Sequence, residues 1–200
     1  MDNAVALVQA YLRVNGYFTV AEYPILEAMR TGYRTLTDID ILGVRFPHAG
    51  QLVSSAGGRD EDHYDPDPVL GATGHGGDMI IGEVKERRAV LNAAATDPAV
   101  LRAVLVRFGC CPPAGADALV TALLRDGSVQ LPVGHQARLV AFGSLVDQAA
   151  TGRYLSVELG HVVRSLQSYL RKHWSVLRHS DHKDPAFGFL VTLEKALGAE

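Results

Sequence analysis

Cysteine is scarce in this chain, which limits the covalent and thiolate chemistry available to it. The sequence contains two cysteines among 200 residues, and they are neighbours, Cys110 and Cys111. Adjacent cysteines are poorly placed for an ordinary mutual disulfide, and they do not supply the CxxC spacing of a zinc knuckle. We therefore expect two reduced thiols in a cytoplasmic protein.

Long apolar runs and an excess of positive charge are also missing. No segment reaches the ~18 unbroken apolar residues of a membrane span, and the first 18 residues have neither a basic leader nor a signal-peptide core. Lys and Arg number 19 against 22 Asp and Glu, which gives a net charge of −3. We expect a soluble intracellular protein without a membrane partner, in which only a local basic surface would serve nucleic acid.

The composition is otherwise that of one globular α/β domain. Residues 1–200 contain 48% apolar and 20% charged residues, without an internal repeat or a dividing linker. Strands are predicted over 17–27, 36–46, 78–86 and 137–144, with a possible further strand over 153–159. Helices are predicted over 4–14, 86–96, 97–109, 114–127, 161–178 and 184–198. This order predicts a mixed sheet between helices.

Charged residues interrupt the second and third predicted strands in a regular way. Asp38 and Asp40 alternate with isoleucines, and Glu83 and Lys85 end the apolar run "DMIIGEVKE" on the same side of their strand. If the two strands pair, Asp40 and Glu83 meet across the sheet. Two crowded carboxylates favour a hard cation, Mg²⁺ or Mn²⁺. Lys85 would orient or deprotonate a water, or stabilise charge on a phosphate, and these groups together serve phosphodiester hydrolysis.

The pattern "TDIDIL … GEVK" resembles the PD-(D/E)XK nuclease superfamily, in particular its Holliday-junction resolvase-like and RecB-type members. On the matching positions, the resemblance implies that Asp40 and Glu83 bind the metal and that Lys85 is the catalytic lysine. It covers roughly residues 1–145. It implies a restriction-endonuclease-like mixed β-sheet with an αβββαβ core and the site at the open edge of strands two and three. The helices predicted over 156–200 lie beyond the resemblance and are expected as extra C-terminal helices.

Two further acids are candidates at this site. Several families of this kind carry another acid early in the chain, and Glu22 is the matching candidate metal ligand. The alternative for Glu22 is an exposed strand residue or a partner of Arg34 or Arg45. Asp38 is expected to support the site as a hydrogen-bond anchor rather than as a second ligand.

The long loop over residues 47–77 departs from many relatives, which join these strands by a short connection. It is rich in Gly, Asp, Ser and Pro, and a loop of this length is either functional or disordered. Either it is an insertion at the mouth of the site, or the two acidic strands do not pair. Its segment "DEDHYDPDP" is expected to be solvated, with capping of the site as the alternative.

The predicted helix 161–178 carries basic residues away from its apolar stripe. They are Arg164, Arg171, Lys172 and Arg178, and no acid interrupts them. We expect this helix to contact a phosphate backbone, and the alternative is an ordinary solvated face. A second basic group follows the Glu-x-Lys strand, at Arg87, Arg88, Arg102 and Arg107. The histidines of this region lack a zinc-binding arrangement.

The sequence thus predicts a Mg²⁺- or Mn²⁺-dependent nuclease, a hydrolase of DNA rather than RNA. One alternative is a nuclease-fold protein that binds or assembles without catalysis, and another is a hydrolase of a smaller phosphoester. We also expect a homodimer or a protein partner.

Overall fold

A mixed six-stranded sheet with helices on both faces forms the frame of the molecule. The computed structural model describes residues 2–53, 63–72, 76–146 and 153–198. The strands are β1 (Tyr17–Ala28), β2 (Tyr33–Arg45), β3 (Gly77–Arg88), β4 (Ser128–Gln130), β5 (His135–Leu145) and β6 (Leu155–Glu158). The helices are α1 (Asn3–Val14), α2 (Pro98–Arg107), α3 (Ala116–Asp126), α4 (Leu159–Lys172), α5 (Trp174–Leu177) and α6 (Phe187–Ala196).

The strand order confirms the predicted mixed sheet. It is β1-β2-β3-β5-β4, with β6 beside β5. β2 is antiparallel to both β1 and β3, and β3 is parallel to β5. The β2–β3 ladder runs from Arg45 opposite Asp78 to Ile41 opposite Gly82. The two acidic strands therefore do pair, as the sequence predicted.

Alternation along β3 separates two hydrophobic clusters, because β3 is covered on both faces. Ile80 and Val84 pack with helices α1 and α4 on one face. Met79 and Ile81 pack with helices α2 and α3 on the other face. By the same alternation, Glu83 and Lys85 lie on the α2 face of the sheet.

Local sequence signals explain where several elements begin and end. The Asp2 carboxylate accepts a hydrogen bond from the Ala4 backbone N–H (2.7 Å) at the start of α1. Gly16 follows that helix with φ 85°, a conformation that favours glycine. Gly127 likewise ends α3 with φ 70°. Both helix ends agree with the prediction.

One predicted helix was wrong, and another is divided in two. Residues 86–96 do not form a helix, because β3 continues to Arg88, which lies opposite Leu145 of β5, and turns follow. The predicted helix 161–178 is divided, since α4 ends at Lys172 and α5 begins at Trp174. His173 between them has φ −109°, outside the helical region. The three-residue strand β4 was not predicted.

The described part of the loop 47–77 packs against the helices α1 and α4. Leu70 is fully buried in their cluster, and Gln51 pairs with His63 in an isolated bridge. The loop joins Arg45 to Gly77, whereas Asp40 lies five residues earlier, about 17 Å along an extended strand. The described residues of the loop thus belong to the opposite end of these strands from the acids, and not to the mouth of the site.

Within the described residues, no helix has the length and apolar character that crossing a membrane requires.

Candidate active site

The two predicted metal-binding acids stand where the β2–β3 ladder ends. Its last pair is Ile41 opposite Gly82, and the next residues along the two strands are Asp40 and Glu83. The Asp40 Oδ2 atom accepts a hydrogen bond of 2.8 Å from the backbone N–H of Val84. A side-chain carboxylate therefore joins the strands here and holds Asp40 beside Glu83.

Glu83 is a buried carboxylate with two side-chain donors. It is 2% exposed, and its Oε1 atom accepts a hydrogen bond of 2.5 Å from Nδ2 of Asn92. The same oxygen forms an ion pair with Nζ of Lys85. The side chains predicted as second acid and catalytic lysine are thus in direct contact, as alternation along β3 requires.

The electrostatics of the pair follow from burial and from the neighbouring charge. Burial raises the pKa of Glu83 above its usual value, and the negative charge of Asp40 raises it further. The hydrogen bond from Lys85 lowers the pKa of Glu83, but the net effect is still a raised pKa. Partial burial lowers the pKa of Lys85. The hydrogen bond to Glu83 and the negative charges of Glu83 and Asp40 have a larger effect, so the pKa of Lys85 is raised overall. Lys85 is therefore protonated at neutral pH in this arrangement. It is suited to orienting water or stabilising negative charge, and not to removing a proton.

A change of sheet face in β1 and β2 positions Asp40. Ala21 packs in the cluster under α1, whereas Tyr23 packs in the cluster under α2, although residues two apart normally share a face. Glu22 between them has φ 51°, which is uncommon for a residue other than glycine and is often found at functional sites. The β2 strand makes the same change of face at Asp40, opposite Glu22.

The two additional acids have different surroundings from Asp40 and Glu83. The Oε1 atom of Glu22 accepts a hydrogen bond of 3.3 Å from the backbone N–H of Asp2, at the start of α1. The predicted partner Arg34 instead pairs with Glu27 at 2.7 Å. Asp38 is exposed. Among the described residues, no three His, Cys, Asp or Glu side chains come together as a metal-binding group, so the structure does not gather Glu22 with the other two acids.

The carboxylate oxygens of Asp40 and Glu83 are of the kind that a divalent cation binds. Lys85 and Asn92 both bind Oε1 of Glu83, and the hydrogen bond of Asp40 uses Oδ2. Within the described part of the chain, Oδ1 of Asp40 and Oε2 of Glu83 accept no hydrogen bond. Hard oxygen donors of this kind are the usual ligands of Mg²⁺ and Mn²⁺, so these two residues would hold the ion.

Asn92 is a site residue that sequence reasoning missed. Its amide nitrogen donates to Glu83, and its amide oxygen accepts a hydrogen bond of 2.7 Å from the Ala95 backbone N–H. The second bond fixes which way the amide points. Asn92 lies in an irregular turn before α2, where no periodic pattern indicates what a side chain contacts.

The predicted basic helix lies on the other face of the sheet from Glu83. The buried residues of α4, among them Val162 and Leu166, pack in the cluster that contains α1 and Val84. Three of the four basic residues predicted for this helix also have local partners. Arg164 lies 3.5 Å from Glu158, Arg171 lies 4.0 Å from Glu194, and Arg178 donates to His179 at 3.3 Å. The structure thus does not bring Arg164, Arg171, Lys172 and Arg178 together with the acids.

A buried ion pair at the other end of β3 was also missed. Arg138 donates to the Asp78 carboxylate through Nε (2.7 Å) and Nη2 (2.6 Å), and Tyr17 donates its hydroxyl proton to Asp78 at 2.5 Å. Asp78 is 1% exposed and Arg138 8%. Both carboxylate oxygens of Asp78 accept hydrogen bonds from these donors, which is typical of a structural ion pair.

The comparisons with family models, with curated proteins and with solved structures gave no match for this chain. The geometry of the site is therefore the basis for inferring a function.

Proposed function

We propose that this protein is a Mg²⁺- or Mn²⁺-dependent nuclease that hydrolyses phosphodiester bonds, in DNA rather than RNA. The observation that carries the proposal is the cluster at the end of the β2–β3 ladder. There a buried Glu83 pairs with Lys85 beside Asp40. Acids and a lysine at this spacing are the residues that the PD-(D/E)XK resemblance implies.

Each residue has a separate role in the proposed reaction. The ion, when bound, stabilises the charge that develops on the phosphate as water attacks the phosphorus. Asp40 and Glu83 are the residues that would hold this ion. Protonated Lys85 orients the attacking water or stabilises the phosphate charge, since its raised pKa argues against a role as base. Asn92 is a positioning residue, because it fixes the Glu83 carboxylate.

The topology supports a restriction-endonuclease-like core for this reaction. One helix precedes three antiparallel strands, and β5 joins the sheet parallel to β3 after two helices and the three-residue strand β4. Without the short strand β4, and with α2 and α3 counted as one helical segment, the order matches the core. This is the αβββαβ order that the resemblance implies. The strand β6 then adds to the sheet beside β5, and the helices α4, α5 and α6 correspond to the extra C-terminal helices.

A nuclease-fold protein that binds without catalysis is the second candidate. One observation favours it: Lys85 and Asn92 both bind the same Glu83 oxygen, and the described residues supply only two grouped acids. In that case the ion pair of Glu83 and Lys85 stabilises the end of β3, and neither residue acts on phosphate.

Cleavage assays with matched variants separate these candidates. Linear, nicked, branched and single-stranded DNA, and RNA, are incubated with the protein in Mg²⁺ or Mn²⁺. We expect the wild type to cleave at least one DNA, Lys85→Ala to lose cleavage, and Lys183→Ala, an exposed lysine in a local pair with Asp181, to retain it. A wild type that cleaves none of these substrates contradicts the nuclease proposal. Equal cleavage by Lys85→Ala contradicts the assigned site.

A further inference from the structure

An aromatic surface lies beside the acids, on the same face of the sheet. Tyr23 of β1 and Phe108 after α2 form an edge-to-face pair, with ring centroids 5.2 Å apart at 61°. Arg107 donates from Nε to the Tyr23 hydroxyl at 3.0 Å. Phe108 is 40% exposed, so a planar ring remains accessible next to a cation.

A cleft continues this surface along β1. Its volume is about 340 Å³, which falls within the range of small-ligand sites. Its lining residues are Tyr23, Pro24, Ile25, Leu26, Ala103 and Arg107. Apart from Arg107 and the Tyr23 hydroxyl, these side chains are apolar. The Leu26 side chain is 61% exposed. The cleft therefore offers apolar contact and one positive charge, that of Arg107, among its lining residues.

The register places this surface close to the acids. Tyr23 lies opposite Ile39, the residue before Asp40, and Glu83 is on the next strand. Two strand spacings amount to about 10 Å. A nucleic-acid strand with a phosphate at the acids therefore reaches this surface within a few nucleotides.

We infer that this surface binds the bases of an unpaired nucleic-acid strand, next to the phosphate held at the acids. The inference rests on the proposed function and specifies its substrate as single-stranded or locally unpaired nucleic acid. Bases stack on aromatic rings without regard to sequence, and arginine binds both the base plane and the phosphate. In a duplex the same base faces are covered by their neighbours. An edge-to-face aromatic pair beside an arginine therefore favours an unpaired strand.

Binding of a fluorescein-labelled dT12 and of a 12-base-pair duplex, measured by anisotropy in EDTA, tests the inference without cleavage. We expect the wild type to bind dT12 more tightly than the duplex. Phe108→Ala should weaken dT12 binding roughly 10-fold, within the range for loss of one stacked base, and Phe108→Tyr should retain it. Phe189→Ala removes an aromatic ring that is 61% exposed on α6, and should change nothing.

Arg107→Gln gives a second test that does not depend on the folding of the Phe108 variant. It should weaken dT12 binding and reduce the log–log salt slope by about 0.7, the value for one phosphate on a single strand. If both Phe108→Ala and Arg107→Gln bind dT12 as tightly as the wild type does, the inference is overturned. The nuclease proposal would still stand in that case if the protein cleaves duplex DNA. If dT12 binding depends on Phe108 and Arg107 but no substrate is cleaved, the surface stands and the nuclease proposal fails.

Discussion

Replacing Asn92 should reveal how strongly the turn before α2 holds the Glu83 carboxylate. Asn92→Ala removes a hydrogen bond to a charged acceptor, typically ~1.5–3 kcal/mol, and one from the Ala95 N–H, typically ~0.5–1.5 kcal/mol. Because Asn92 is half-buried, water can replace part of both hydrogen-bond contributions in the variant. We expect a loss of about 2 kcal/mol in the free energy of unfolding, measured by urea denaturation. The corresponding fall in Tm is about 4–8 °C for a chain of this length.

Asn92→Asp separates the two hydrogen bonds, because it keeps an acceptor for Ala95 but puts a second carboxylate against Glu83. Each carboxylate raises the pKa of the other in the folded state. The folded state then binds protons more tightly than the unfolded state, so stability falls as pH rises from the ordinary carboxyl range of ~4 through the raised values. We expect the loss of stability of Asn92→Asp relative to wild type to be largest at neutral pH and to become smaller as the pH is lowered.

Asn3→Ala is the matched control, since Asn3 is exposed at the start of α1. Its free energy of unfolding should stay within ~0.5 kcal/mol of the wild-type value. If the free energies of unfolding of Asn92→Ala and Asn92→Asp also stay within that range of the wild-type value at pH 7, Asn92 does not hold Glu83. Its role as a positioning residue is then refuted.

Two further predictions concern the rest of the fold. Asp78→Ala leaves the buried Arg138 guanidinium without its carboxylate and should lower the free energy of unfolding by about 3–5 kcal/mol in urea denaturation. Asp126→Ala breaks an exposed pair and should have little effect, because solvent screens such pairs. Similar losses for the two variants would contradict the structural role of Asp78. If α4 binds phosphates, changing both Arg171 and Lys172 to Glu should weaken duplex binding and lower the log–log salt slope by about 0.9 for each phosphate that the helix no longer neutralises. An unchanged slope in a gel-shift titration would identify α4 as a solvated helix.

The positions of Asp40, Glu83 and Lys85 in the sheet could be predicted because strand geometry is periodic. Alternation alone puts Glu83 and Lys85 on one side of β3, and pairing of the two apolar strands puts Asp40 next to Glu83. Both depend only on residue spacing and on which faces are apolar. The sequence order also sufficed for the mixed sheet and for helix ends marked by Gly16 and Gly127.

Features that depend on tertiary contacts could not be predicted. Residues 86–96 are rich in alanine and favour a helix locally, but pairing with β5 extends β3 to Arg88 instead. The face of the sheet that α4 covers is decided by the path of the chain after β6, and not by its apolar stripe. The turn that brings Asn92 to Glu83 has no periodic signal at all.

Titration of Mn²⁺ into the protein by calorimetry tests the central claim most directly, because it asks whether Asp40 and Glu83 hold a metal ion. We predict that the wild type binds Mn²⁺, that Asp40→Asn and Glu83→Gln abolish binding, and that Asp38→Asn, at an exposed aspartate of the same strand, leaves it unchanged. Lys85→Ala should still bind the ion while losing cleavage. A wild type that shows no Mn²⁺ binding, or Asp40→Asn and Glu83→Gln variants that bind it as well as the wild type, would contradict the account.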